Sequence, residues 1–180
     1  MKITPMSLPE VLLIEPRVFG DARGFFFESW NEKAFSAAGI RGHFVQDNHS
    51  RSARNVLRGL HYQIHQAQGK LVRVVAGEIF DVVVDVRKSS PNFGRHATAR
   101  LSADAHNMLW VPVGFAHGFC VTSACAEVLY KATDFYAPEH ERCILWNDPG
   151  LAIEWPLHTA PLVSGKDAEG LRLQDAEVFA

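Results

Sequence analysis

The chain has 180 residues, 18 of them lysine or arginine and 20 aspartate or glutamate, for a formal charge of −2. That length predicts one domain over residues 1–180 with a sizeable core, and the charge balance excludes a bulk electrostatic case for nucleic acid or an anionic membrane. Three cysteines without a CxxC pair, no signal-peptide core and no apolar run of roughly 20 residues read as a soluble cytoplasmic protein with reduced thiols.

Strand signals dominate from the start. Residues 11–14 are a short apolar run stopped by Pro16, and residues 24–30 are rich in aromatics, as strands favour. Asn31 reads as the cap of a short helix over residues 32–38 that Gly39 ends. Residues 71–87 predict two strands hinged at Ala76-Gly77, the second interleaving β-branched residues with Asp81 and Asp85. The cluster over residues 89–94 is a turn, and further strands fit residues 97–101, 108–111, 118–121 and 127–133. Beyond Asp134 the chain is broken by Pro138, Pro149, Pro156 and Pro161, with a short helix expected from Asp167 onward. Many short strands between turn signals, and too few helices for βαβ units, predict an all-β fold of jelly-roll type.

The segment Arg58-Gly59-Leu60-His61-Tyr62-Gln63, followed by Gln68-Gly69-Lys70-Leu71-Val72-Arg73, sets an arginine, a histidine and a lysine along two successive strands. Alternate strand positions share a face. Arg58 and His61 therefore converge only through a bulge, a twist or a strand end, and Gly59 is the residue type that permits one. An imidazole beside two cations suits abstraction of a carbon-bound proton, because the carbanion formed needs its charge stabilised. An ordinary solvent-facing strand with scattered polar residues accounts for the same segment.

Nine histidines invite a metal. Metal-holding barrels of this size commonly carry two histidines one residue apart, and here those positions are His61 and Gln63, with His117 far downstream. A tight divalent site wants three or four protein ligands, so no metal is expected. No Gly-x-Ser-x-Gly elbow, Walker A loop or dinucleotide glycine fingerprint is present, which leaves serine-nucleophile, ATP-driven and hydride-transfer chemistry without support. What remains is a set of polar residues among apolar strands: Arg23, Glu28, Gln46, Asp47, Asn48, Arg58, His61, Lys70, His117, Tyr130, Tyr136 and Glu141. Any one of them fits the wet face of a half-exposed sheet. Together they offer cations for a diphosphate, amides for a base or sugar, aromatics for stacking, and a histidine with tyrosines for proton transfer.

Ordered blocks over residues 19–156 resemble the dTDP-4-dehydrorhamnose 3,5-epimerase family. They include Asp21-Ala22-Arg23-Gly24-Phe25-Phe26-Phe27-Glu28, Gln46-Asp47-Asn48-His49-Ser50 and the two segments around His61 and Lys70. Further blocks are Gly77-Glu78-Ile79-Phe80-Asp81-Val82, Pro112-Val113-Gly114-Phe115-Ala116-His117-Gly118-Phe119, Tyr130-Lys131-Ala132-Thr133-Asp134-Phe135-Tyr136 and Trp146-Asn147-Asp148-Pro149. The turn Ile64-His65-Gln66-Ala67 is shorter than in some relatives.

The resemblance implies a cupin-like jelly roll acting as a homodimer on a dTDP-sugar, without metal or other cofactor, in dTDP-L-rhamnose biosynthesis. A 4-keto-6-deoxy sugar would be inverted at C3 and C5, both acidified by the C4 ketone. By the same resemblance His61 is the base, Asp167 the carboxylate that orients it, Lys70 the partner of the C4 oxygen and Tyr130 the acid on the opposite face. Tyr136 would stack on thymine, and Arg23, Glu28, Gln46, Asp47, Asn48, Arg58, His117, Glu141 and Lys166 would bind substrate. Two alternatives stay open: an enzyme that epimerises one centre or isomerises the keto sugar, and a non-catalytic sugar-nucleotide-binding domain.

Overall fold

The structure, a computed structural model, describes residues 1–180. Six strands form one antiparallel sheet: β1 (Lys2–Pro5), β2 (Leu12–Glu15), β5 (Gln46–Ala53), β7 (Lys70–Ala76), β10 (Met108–Val111) and β12 (Cys125–Ala132). Their order is β1-β2-β10-β7-β12-β5. A second antiparallel sheet holds β6 (Leu57–Gln63), β8 (Glu78–Asp85), β9 (His96–Ser102), β11 (Phe115–Val121) and β13 (Glu141–Cys143), in the order β13-β6-β11-β8-β9. The short strands β3 (Phe19–Asp21) and β4 (Gly24–Phe26) pair only with each other. Two helices complete the chain, α1 (Glu32–Ala37) and α2 (Gly165–Ala168). The chain-distant neighbours in both sheets are those of the cupin-like jelly roll expected.

Alternation decides what each sheet buries. Val72 and Val74 of β7, Val128 of β12, Ile79 and Val83 of β8, Leu101 of β9 and Phe119 and Val121 of β11 fill one core cluster between the sheets. The opposite face of β8 and β6 sends Val82, Val84, Leu60 and Tyr62 into a second cluster, covered by Ile144, Leu151, Trp155 and Phe179 from the C-terminal third. A third cluster lies on the outer face of the larger sheet. There Phe35 of α1 and Ile40 pack on Ile14, Leu71, Met108 and Trp110. Strand β8 is central and covered on both faces, so it reads as a nearly continuous apolar run, and the aspartates within it are buried.

Local signals held where they were chemically specific. Asn31 caps α1, its side chain accepting a hydrogen bond from the Ala34 amide. The hinge at Gly77 has φ of +74° and sits so close to β12 that an added Cβ would overlap the Cys125 carbonyl oxygen, a site only glycine fills.

Other expectations need correction. Residues 24–30 are not one strand: β4 ends at Phe26, and with no sheet to pack on, Phe25 and Phe26 stay 64% and 67% exposed. Strand β5 went unforeseen because its sequence, QDNHSRSA, is polar at every position but the last; it is held by pairing along its full length with β12. Helix α2 starts at Gly165, before Asp167, because the Ser164 side chain caps it through the Asp167 amide.

Candidate active site

Between the sheets the apolar packing stops short of one end, and a cleft of about 330 Å³ remains. It is lined by Gln46, Asn48 and Ser50 of β5, Arg58 and His61 of β6, Lys70 of β7, His117 and Phe119 of β11, and Tyr130 of β12. Gln68, Tyr136, Glu141 and Lys166 close its rim. His61 thus stands on the wall made by the smaller sheet and Tyr130 on the wall made by the larger.

The convergence of Arg58 and His61 has a local cause. On β11, Phe119 and His117 lie two residues apart, hence on one face, and they register with Arg58 and His61 of β6. Two residues of β6, Gly59 and Leu60, therefore oppose the single Gly118, which is a β-bulge. Gly59 has φ of +120°, and a Cβ there would lie 2.5 Å from the Gly118 Cα. A side chain would force the strands apart and break the alignment of the two polar residues.

Asp167 supplies the partner of His61. It is 3% exposed, and its Oδ1 accepts a hydrogen bond from His61 Nε2 at 2.5 Å. Burial pushes this carboxyl up, but the His61 hydrogen bond and charge, the Ser164 side chain and Lys166 outweigh it and hold the group below its ordinary value. An ionised Asp167 accepting Nε2–H leaves Nδ1 as the nitrogen with the free lone pair, the arrangement a base requires.

The cleft is electrostatically divided. Enclosure drives the Lys70 ammonium down to about 8, against the pull of Glu141 and Asp81. Asp81 lies beneath, fully buried, with both carboxylate oxygens 2.9–3.0 Å from His117 Nε2. Burial raises the Asp81 carboxyl, and His117 and Lys70 offset only part of that. Burial also raises the Tyr130 phenol, reinforced by Glu141, so it stays protonated as an acid must. At the rim Glu141 accepts from Lys166 at 2.7 Å and from the Tyr136 hydroxyl at 2.9 Å. Burial raises Glu141, yet these bonds leave it net lowered.

Gln63, in the position where a second metal-binding histidine would stand, is 3% exposed and serves the backbone. Its amide donates to the Gln66 and Phe135 carbonyls and accepts from the Ala137 amide, fastening the loop that carries Tyr136. Three groups do have metal-compatible spacing: His61, Cys143 and Asp167 offer donor atoms within 4.8 Å of one another.

Most of the expected site residues converge. His61, Lys70, Tyr130, Gln46, Asn48, Arg58, His117, Tyr136, Glu141 and Lys166 line the cleft, and Asp167 backs His61. Three do not join them within this chain. Asp47 alternates with Gln46 and Asn48, so it points to the outer face of β5, bonded to Lys131 at 3.0 Å. Arg23 sits at the turn between β3 and β4, paired with Asp21, and Glu28 holds the Asn31 side chain. Sequence reasoning missed Ser50, Gln68, Phe119 and Asp81. For Asp81 the signal was present, since a carboxylate inside an apolar central strand is the informative kind of burial.

Comparison with known proteins agrees with this geometry. The family model described as dTDP-4-dehydrorhamnose 3,5-epimerase matches residues 5–175. The dTDP-4-dehydrorhamnose 3,5-epimerase of Pseudomonas aeruginosa is 63% identical over 180 residues, covering 99% of both chains. The crystal structure of a dTDP-6-deoxy-D-glucose-3,5-epimerase from Legionella pneumophila, in complex with dTDP-4-keto-L-rhamnose, superposes with a TM-score of 0.96 at 50% identity, over 98% of this chain and 94% of that one. A 3'-monoepimerase from Streptomyces bikiniensis, in complex with dTDP-quinovose, gives 0.88 at 33% identity, over 94% and 87%. A histidine–aspartate pair facing a half-buried tyrosine across a cationic cleft, on a jelly roll matched almost end to end, leaves one assignment: the chain belongs to the dTDP-4-dehydrorhamnose 3,5-epimerase family.

Proposed function

We propose that residues 1–180 form one epimerase domain that inverts C3 and C5 of dTDP-4-dehydro-6-deoxy-D-glucose, giving dTDP-4-dehydro-L-rhamnose for dTDP-L-rhamnose biosynthesis. The observation that carries this reading is the position of His61 and Tyr130 on opposite walls of one cleft. Inversion needs two faces, because a lone base that returns its own proton restores the original centre.

In this mechanism Nδ1 of His61 removes the proton from C3 and, in turn, from C5, while Asp167 stabilises the imidazolium. The charge moves onto the C4 oxygen, where the Lys70 ammonium stabilises the enolate. Tyr130 protonates each carbon from the other side. Arg58, His117 and Lys166 supply cationic or donor groups for diphosphate and sugar, Gln46 and Asn48 supply amides, and half-exposed Tyr136 offers a ring to thymine. No step calls on a metal or cofactor.

In deuterated water the protein should introduce deuterium at both C3 and C5 of the 4-keto-6-deoxy nucleotide sugar. Tyr130→Phe should keep exchange measurable while suppressing inversion. The likeness to a 3'-monoepimerase supports a second reading, epimerisation at one centre. Label confined to one carbon would establish it, and no label at either would overturn both.

The active form in this reading is a homodimer. The ribbon of β3 and β4 carries Arg23 in its turn, with Glu28 just beyond β4, and exposes Phe19, Phe25 and Phe26. A ribbon this apolar favours cover by a second copy, which would bring Arg23 and Glu28 to the partner's cleft. Light scattering should give twice the chain mass, and Arg23→Ala should weaken dTDP binding; a monomer with full affinity would refute the arrangement. A cytoplasmic location accords with three free thiols, and no helix is long and apolar enough to cross a membrane.

A further inference from the structure

The thiol of Cys143 takes no part in the mechanism above, yet it lies against the base. Strand β13 pairs with β6 in a register that puts Cys143 directly opposite His61. From α2, Asp167 reaches into the same space, with Cys143 Sγ 3.9 Å from its Oδ1. Imidazole nitrogen, thiolate sulfur and carboxylate oxygen are the three donor types that zinc-class ions select. A second groove of about 460 Å³ is lined by Tyr62, Arg142, Cys143 and Glu169 and shares Glu141 and Lys166 with the substrate cleft, so an ion can approach Cys143 from this side. Both cations that line this groove are paired, Lys166 with Glu141 and Arg142 with Glu177.

We propose that His61, Cys143 and Asp167 form a site for a thiophilic divalent cation, of the zinc or cadmium class, whose occupation switches the epimerase off. A tetrahedral ion with bonds of about 2.0–2.3 Å needs its ligand atoms roughly 3.5 Å apart. The Cys143–Asp167 separation of 3.9 Å already suits it. The His61–Asp167 pair, at 2.5 Å, has to open by roughly 1 Å.

The proton balance explains the loss of activity. The ion takes the Nε2 lone pair, so the one ring proton moves from Nε2 to Nδ1 and the imidazole stays neutral. Cys143 gives its thiol proton to solvent and binds as thiolate. No atom is oxidised or reduced. Nδ1, which must accept the substrate proton, has become a donor. The inhibitory consequence rests on His61 being the base; the site itself does not.

The test uses the whole protein and two probes. Titration with Cd2+ should produce the ultraviolet thiolate-to-cadmium charge-transfer band, saturating at one ion per chain, and Cys143→Ala should remove it. Zn2+ should inhibit the parent protein, and Cys143→Ala, with metal-free turnover unchanged, should need at least about tenfold more for half-inhibition. Because Cys120 and Cys125 are also free, a band that survives Cys143→Ala, or no band in the parent, overturns the site. A band that depends on Cys143 without loss of turnover keeps the site and overturns His61 as base. Asp167→Asn, read by the band alone, should weaken Cd2+ binding by a similar factor; unchanged binding would remove Asp167 from the ligand set.

Discussion

Replacing His61 with alanine is expected to abolish turnover while leaving affinity for dTDP near that of the parent protein. A positioned general base contributes about 10²–10⁴-fold, and no second histidine can take over. His117 also lines the cleft, but its Nε2 is committed to the buried Asp81. Affinity should survive because the groups proposed to hold the nucleotide, among them Arg58, Asn48 and Tyr136, make no hydrogen bond with His61. Arg58 bonds the Ser52 hydroxyl, Asn48 bonds Gln46, and Tyr136 is held by Gln46 and Glu141. Single-turnover deuterium exchange with and without the substitution checks the first half, and calorimetric titration with dTDP checks the second. A rate within about tenfold of the parent would remove His61 from the base role; a large loss of dTDP affinity would make it a binding residue.

Lys70→Met is expected to lower the rate by about 10²–10³-fold, the usual cost of deleting one preorganised donor to a developing oxyanion. The same change should stabilise the fold at neutral pH. Enclosure pulls the Lys70 pKa from 10.5 to about 8, so the folded state releases this proton more readily than the unfolded chain does. Between about pH 8 and 10 the unfolded chain therefore binds more protons, and stability attributable to this residue rises with pH there. Below pH 8 the charged side chain costs up to roughly 3 kcal/mol, at 1.36 kcal/mol per pKa unit, and methionine removes that cost. Activity runs the other way, since the ammonium is needed charged: turnover should fall as pH rises through about 8. Denaturation at pH 7 and a pH–rate profile measure the two effects. An unchanged midpoint with full activity at high pH would show that Lys70 is neither strained by burial nor catalytic.

These two residues also show how unevenly the site was legible. The segment from Arg58 to Arg73 brings an arginine, a histidine and a lysine close together in the sequence, and Gly59 permitted a bulge, a twist or a strand end between Arg58 and His61, of which the structure has the bulge. Tyr130 and Glu141 stood out only as polar residues among apolar strands, and the roles of Asp167 and Lys166 were nameable only through the resemblance, because no local spacing ties any of them to His61. Strand β5 escaped notice since its stability comes from backbone pairing to β12, whereas strand signals reward apolar side chains. Asp47 was grouped with its neighbours Gln46 and Asn48, yet strand alternation turns it to the other face.

What the sequence determined by itself was everything that rests on nearest neighbours along the chain: the Asn31 cap, the Gly77 hinge, the turn chemistry, the alternating strands and the ordered family motifs. Such features depend on backbone sterics and side chains within a few residues, so they are written where they act. Tertiary structure decided the rest. His61 meets Asp167 across a separation of 106 residues, and Cys143 is delivered beside both by the pairing of an edge strand. Alternation says that a strand has two faces but not which one borders the cleft. That choice is made by the packing of two sheets whose shared core runs out before the space between them does.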